Sequence, residues 1–311
     1  MNISKKLPLE KWRHILAELY YTTVYPCLFK LITLLSPRMN VYLQYRRIKG
    51  SFPNLNNPTS FHEKLLKLKI EKYNKSALVK QCADKYAVRQ YIRNNVSNGE
   101  ELLIPLIATY SRVDDIQWDT FPNKFVVKWN FGCGFNIVCK DKSTLDIEQS
   151  KKILKKWKKD TSYLLNAELQ YRNVKKVIMV EEFLDDHSGE LPSDYKFYCF
   201  NGNPMAVLYI SGRDTSNNSA VFFDLEWKYI GRPQKACYVE NSNLPEKPKC
   251  LDQMILASQE LSSEFEFVRV DFYVINDRPY FGEMTFTPAS GLYTSECEID
   301  GKSMGEILRI D

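Results

Sequence analysis

Between Phe267 and Phe286 the chain alternates β-branched and aromatic residues with polar ones, and Asn-Asp-Arg-Pro interrupts the run at 276–279. This pattern predicts a β-hairpin. With the turn centred on Asp277, Asp271 faces Glu283 and Arg269 faces Thr285, and strand alternation puts all four side chains on one face. Further strands are predicted at 103–110, 124–129, 136–140, 176–183, 194–200, 205–210 and 220–225. Asn201-Gly202-Asn203 supplies a second hairpin turn. Helical spacing covers 76–94, 145–159 and 251–264, and another helix starts near Phe61, with Thr59 or Ser60 as N-cap and Glu63 closing the capping interaction. Residues 52–58 form a linker or wrapped arm.

Residues 15–35 are rich in Leu, Tyr and Ile, interrupted by Glu18, Pro26 and Lys30. The longest uncharged run, 19–29, is far below the roughly 20 residues that a spanning helix needs. One or two helices broken near Pro26 are expected, either packed on a core or partner or docked on a membrane face. The order of elements predicts an α+β fold and not a doubly wound parallel sheet. Its parts are a helical N-terminal extension (1–75), a first lobe (76–185) and a second lobe with the hairpin (186–311).

The hairpin carries the most specific chemistry. Cross-strand Cβ atoms lie roughly 4.5–5.5 Å apart, so Asp271 and Glu283 can share one hard cation or a pair of them. Without a cation or proton between them they would repel, and Mg²⁺ carrying a nucleotide is the strongest candidate. Elsewhere, a strand ends at Lys128 and leads into Gly132-Cys133-Gly134, a loop whose backbone N–H groups can approach phosphate. It is not a dinucleotide fingerprint, because Ile137 stands where the third glycine belongs. Glu181, Glu182, Phe183 and Leu184 end another strand, either at the surface or where a chain crossing between lobes presents backbone groups to an adenine edge. Lys196 interrupts an aromatic strand, and Arg213 is a further candidate anion ligand. Gly301-Lys302-Ser303 lacks the glycine a phosphate loop needs five residues earlier, where Glu296 stands.

Composition adds little. The share of hydrophobic residues is 44%, of charged 26% and of aromatic 13%, ordinary for a globular chain of 311 residues. A net charge of +5 permits an anionic substrate or a membrane surface, and no nucleic-acid recognition motif is present. Eight cysteines occur without a Cys-x-x-Cys pair, so free thiols in a reducing cytoplasm are expected. His14, His62 and His187 have neither metal nor triad spacing and read as structural or exposed.

In order, several segments resemble the TupA-like family of the ATP-grasp superfamily, linked to teichuronopeptide synthesis. They are Asn57-Pro-Thr-Ser-Phe-His-Glu-Lys64, Asp84-Lys-Tyr-Ala-Val-Arg89, the 125–134 strand and loop, Glu181-Glu-Phe183, Asp194-Tyr-Lys-Phe197, Arg269-Val-Asp-Phe-Tyr273 and Tyr280–Gly291. The resemblance implies ATP held between two α+β lobes. Lys128 and Lys196 would contact phosphates under the Gly132–Gly134 loop, and Glu181 to Leu184 would line the adenine pocket. Asp271 and Glu283 would hold Mg²⁺, with Thr285 where many relatives carry a third, Asn ligand. Arg269 and Lys196 would be catalytic, with Lys128 and Arg269 stabilising charge during transfer.

The implied reaction phosphorylates a carboxylate, on which an amine then forms an amide. The implied partners are a carboxylate substrate such as a uronic acid in a surface polysaccharide, and an amine or amino acid, with no nucleic acid. The expected location is cytoplasmic, at the inner face of the membrane if the N-terminal helices touch it. A glycosyltransferase acting on the same polysaccharide is the second reading, although no Asp-x-Asp motif is present. A non-catalytic binding protein is the third.

Overall fold

The computed structural model describes residue 18 and residues 20–186, 189–213, 215–233 and 244–310. His14, His187, Cys237 and most of the segment before Tyr20 lie outside the described residues. Two antiparallel sheets organise the chain. The first contains β1 (Leu106–Tyr110), β2 (Phe125–Trp129), β3 (Asn136–Cys139) and β4 (Ile178–Glu182), in the order β1-β4-β2-β3. The second contains β5 (Asp194–Phe200), β6 (Asn203–Ser211), β7 (Ser219–Phe223), β8 (Tyr229–Gly231), β9 (Phe267–Ile275) and β10 (Arg278–Thr285), in the order β10-β9-β5-β6-β7-β8. Every ladder in both is antiparallel, so the α+β expectation holds.

The hairpin register comes about differently from the prediction. The turn has two residues, Asn276 and Asp277, both in the left-handed region (φ 50° and 61°), a conformation both types tolerate. Beside the turn the pairing is therefore displaced by one, with Tyr280 opposite Tyr273 and Phe281 opposite Phe272. A bulge at Gly282 then restores the predicted partners, Glu283 with Asp271 and Thr285 with Arg269. Gly282 suits this place because a Cβ there would lie 3.1 Å from the Asp271 carbonyl oxygen.

Two helical expectations need correction. The predicted 76–94 helix is two helices, Ala77–Ala83 and Val88–Asn95. Asp84 breaks it: its Oδ1 accepts from the backbone N–H groups of Tyr86 and Ala87, at 2.8 and 3.1 Å, which competes with helical bonding. Pro26 does not break a helix. Beside it the helix changes type instead, a π-helical turn over Tyr20–Val24 running directly into the α-helix Tyr25–Leu35 through a helical Val24 (φ −68°, ψ −49°). The capping box is as expected, with Ser60 and Glu63 capping Phe61–Leu68. Gly301 forms a tight turn with Asp300, and Ser303 caps a helix, so neither builds a phosphate loop. His62 is structural, its Nδ1 2.7 Å from Glu296 Oε1.

The hydrophobic cores do not follow the predicted domain limits. Phe125, Val127, Trp129, Ile178 and Val180 form one core with Leu154, from the lysine-rich helix Ile147–Trp157. The six-stranded sheet forms a second with helix Leu251–Ser262, and that core also takes in Phe61, Leu65, Tyr73, Val79, Ile92 and Leu103, while Val41, Tyr45, Leu55, Leu66, Ala167 and Leu292 form a third. Residues from 61 to about 103, assigned from sequence partly to the extension and partly to the first lobe, therefore pack with the second. The amphipathic helices lie against strands that follow far later in the chain, a pairing that periodicity does not encode. The Tyr73 hydroxyl fixes this attachment, donating to Phe267 O at 2.9 Å and accepting from Phe267 N at 3.0 Å.

Lys69 has no exposed surface, and its Nζ donates to Ser290 O at 3.0 Å. Burial, partly opposed by Glu168, pushes its ammonium down to about 8. The unfolded chain, with an ordinary lysine near 10.4, then binds more protons between those two values. Stability should rise across that window, by up to about 3 kcal/mol, with the burial cost fully present below pH 8. Urea unfolding of wild type and Lys69→Met at pH 7 and pH 10 checks this. Wild type should gain on the variant at the higher pH, and an unchanged difference refutes it.

Candidate active site

A cavity of about 380 Å³ opens between the two sheets, large enough for a small-molecule ligand. From the first sheet, Val126 and Lys128 of β2 face it while Phe125, Val127 and Trp129 enter the core, the alternation expected of a half-buried strand. Gly132 and Gly134 line it from the β2–β3 loop, both at φ 73°. A side chain at Gly132 would strike the Phe135 ring at 2.6 Å, whereas Gly134 faces open space. Glu181, Glu182, Phe183 and Leu184 line another wall, where the chain leaves β4 for the second sheet. Of the two acids, only Glu181 is buried. Its Oε2 lies 2.5 Å from Lys128 Nζ and its Oε1 3.6 Å from the buried Arg89.

The second sheet contributes Asp194, Lys196, Asp271, Tyr273 and Glu283, with Arg213 from the loop after β6. Lys196 pairs with Asp271 across the β5–β9 ladder. Its ammonium donates to Asp271 Oδ2 at 2.6 Å and Asp194 Oδ1 at 3.0 Å. Asp194 also pairs with Arg213. Burial pushes the Asp194 carboxyl up, and Lys196 and Arg213 counter it.

Arg269 and Thr285 do not line the cavity; they stand behind the two acids. Arg269 holds Asp271 in a fork, Nε to Oδ1 at 2.7 Å and Nη2 to Oδ2 at 2.6 Å, and reaches Glu283 Oε1 at 3.5 Å. Burial works against the guanidinium charge, but Asp271 outweighs it and holds the arginine above its usual range. Thr285 Oγ1 lies 3.2 Å from both Arg269 Nη2 and Glu283 Oε1. The repulsion expected between the facing carboxylates is thus answered by a guanidinium placed between them.

Lys85, to which the sequence reading gave no role, connects both walls. Its Nζ donates to Gly132 O at 2.7 Å and lies 3.5 Å from Glu283 Oε2. Asp84 beside it accepts from the buried Asn130 amide at 2.7 Å, which anchors the start of the glycine loop. The adjacent Asp84-Lys85 pair, with its Asx-type turn, was the available signal. Burial works against ionised Glu283, but Lys85, Arg269 and Lys196 outweigh it and draw the carboxyl down to about 2.

The donor set fits a single Mg²⁺. Among the described residues, no three His, Cys, Asp or Glu side chains cluster as a complete protein cage. Mg²⁺ ordinarily uses one or two carboxylates plus phosphate and water. The three hydrogen bonds to Asp271 leave a lone pair on Oδ1, and Glu283 Oε2 has only the long contact to Lys85. Both acids can accept a cation without losing the bonds that orient them.

Compared with solved structures, the chain is 17% identical to D-alanine–D-alanine ligase from Bacillus anthracis, covering 66% of this chain and 57% of that one at a TM-score of 0.40. Similarity to L-amino acid ligase from Bacillus licheniformis is 14% identity over 69% and 45%, also at 0.40. D-alanyl-alanine synthetase A from Vibrio cholerae gives 12% over 68% and 57%, again at 0.40. The chain thus spans about half the length of these proteins, and likenesses this distant do not bear on its chemistry. No curated protein matches it. The assignment rests on the family model for TupA-like ATPgrasp, which matches residues 63–309 and so includes every residue placed at the cavity. The chain belongs to the TupA-like ATP-grasp family.

Proposed function

We propose that the protein is a carboxylate–amine ligase that joins an amine or amino acid to a uronic acid of a surface polysaccharide or its precursor, in the cytoplasm. The nucleotide of the family is ATP with Mg²⁺. The observation that carries the reading is convergence: Lys128 from one sheet and Lys196, Asp271 and Glu283 from the other meet at one cavity, roofed by the Gly132–Gly134 loop. Phosphoryl transfer depends on positioning and charge, so no side-chain nucleophile is required.

In this reading Lys128 and Lys196 bind the phosphates, and the 181–184 segment receives the adenine. Asp271 and Glu283 would hold Mg²⁺, which when bound would supply neutralisation of the charge on the transferring group. Lys85, held between Gly132 O and Glu283, would reach a phosphate oxygen bound under the glycine loop, and Arg269 keeps Asp271 in place. The substrate carboxylate takes the γ-phosphoryl group, releasing ADP. The amine then attacks the acyl carbon, phosphate leaves, and the amine loses a proton to solvent or a base. The uronic acid comes from the family's link to teichuronopeptide synthesis.

ADP release, screened with amino acids against uronic-acid oligosaccharides, tests the assignment. Turnover that needs both an acid and an amine is expected; turnover with UDP-sugars alone refutes it. Thr285 serves here chiefly to orient Glu283, so Thr285→Asn, which keeps a hydrogen-bonding group, should change ADP release less than about fivefold. A loss beyond a hundredfold in the same assay shows that the hydroxyl has another task.

A further inference from the structure

The helix Tyr25–Leu35 is apolar on two faces. Tyr25, Phe29, Ile32 and Thr33 point inward and are buried. Asn40, on the following helix Pro37–Lys49, donates from its side-chain amide to Phe29 O and to Leu165 O, and Gln44 also donates to Leu165 O, which fixes that inward face. The opposite face carries Val24, Leu28, Leu31 and Leu35 at helical spacing, exposed by 48, 44, 54 and 80%. Tyr20, Tyr21, Leu34 and Met39 extend it. Among the described residues, eight of the fourteen exposed large hydrophobic ones fall in this one stretch, and the other six are scattered. A concentration of this kind marks a surface that meets something other than water.

Charge identifies the partner. Residues 1–60 contain nine Lys or Arg against two Asp or Glu, whereas the whole chain carries only +5, so the rest of the molecule is net negative. Arg46, Arg47 and Lys49 are exposed at the end of the helix packed beside the apolar stripe. No helix among the described residues is long and apolar enough to cross a membrane. An exposed apolar stripe with tyrosines at one end and basic residues beside it matches a helix lying in a bilayer interface. A second copy of the chain fits less well, because a two-fold interface would bring two basic faces together.

We propose that this face docks the protein on an anionic phospholipid bilayer, with Val24, Leu28, Leu31 and Leu35 in the acyl boundary and Arg46, Arg47 and Lys49 among the headgroups. The inference stands independently of the ligase reading. Sedimentation of the full chain with extruded vesicles tests it. Binding to vesicles of equal phosphatidylglycerol and phosphatidylcholine should be at least tenfold tighter than to phosphatidylcholine alone, and 0.5 M salt should weaken it. Leu28→Glu with Leu31→Glu should weaken binding at least tenfold without lowering the melting temperature. Absent binding by wild type, equal affinity for neutral vesicles, or full binding by the double variant overturns the proposal. So does a wild-type dimer in solution that the double variant converts to a monomer.

Discussion

Asp271→Asn is expected to reduce ADP release about a thousandfold, the largest single loss in the site. Its carboxylate carries the charge that a divalent ion needs, and losing an electrostatic contact to a reacting phosphoryl group costs about 4 kcal/mol. The substitution also touches stability. Lys196 and Arg269 both lie against Asp271, each with a mostly buried side chain, and neutralising the acid leaves two cations short of a partner. Breaking a buried ion pair costs roughly 3–5 kcal/mol, and an amide that still accepts one hydrogen bond recovers part of it. Steady-state kinetics should therefore be read beside urea unfolding, at a temperature where the variant stays folded. Turnover within tenfold of wild type removes Asp271 from the chemistry.

Lys196→Met is expected to give the second largest effect, raising the KM for ATP and lowering kcat together by an overall factor of 100 or more. The ammonium is the only described hydrogen-bond link between Asp194 and Asp271, and without it two buried acids share one wall of the cavity. Lys196→Arg should recover part of the activity, because the charge stays while the compact ammonium is replaced by a planar fork. A variant altered in KM alone would place Lys196 in ground-state binding and not in the transition state.

Much of this site was legible in the sequence because strand alternation is a strict rule. Alternation with a turn centred on Asp277 predicts the Asp271–Glu283 and Arg269–Thr285 pairs, and the structure reaches them by two offsetting departures from that pattern, a tighter turn and the Gly282 bulge. Lys128 likewise announces itself by standing at a cavity-facing position of Phe-Val-Val-Lys-Trp. What the sequence hid was distance in space. Lys85 precedes Glu283 by nearly two hundred residues, and no local pattern says that it joins the glycine loop to the hairpin. The expectation that Arg269 faces the reaction fails because its neighbour two positions on, Asp271, captures it in a fork behind the cavity wall. Helices near 61 and over 76–94 follow from local spacing, while the sheet they cover is decided by strands that come much later.

Thermal denaturation with and without nucleotide tests the central claim most directly: the two acids hold the metal of a nucleotide bound between the sheets. Wild type should melt several degrees higher with ATP and Mg²⁺ together, much less with ATP in EDTA, and not at all with UDP-sugars. Glu283→Ala should lose the Mg²⁺-dependent part of that shift. An equal shift with and without Mg²⁺, or one that Glu283→Ala retains in full, contradicts the account.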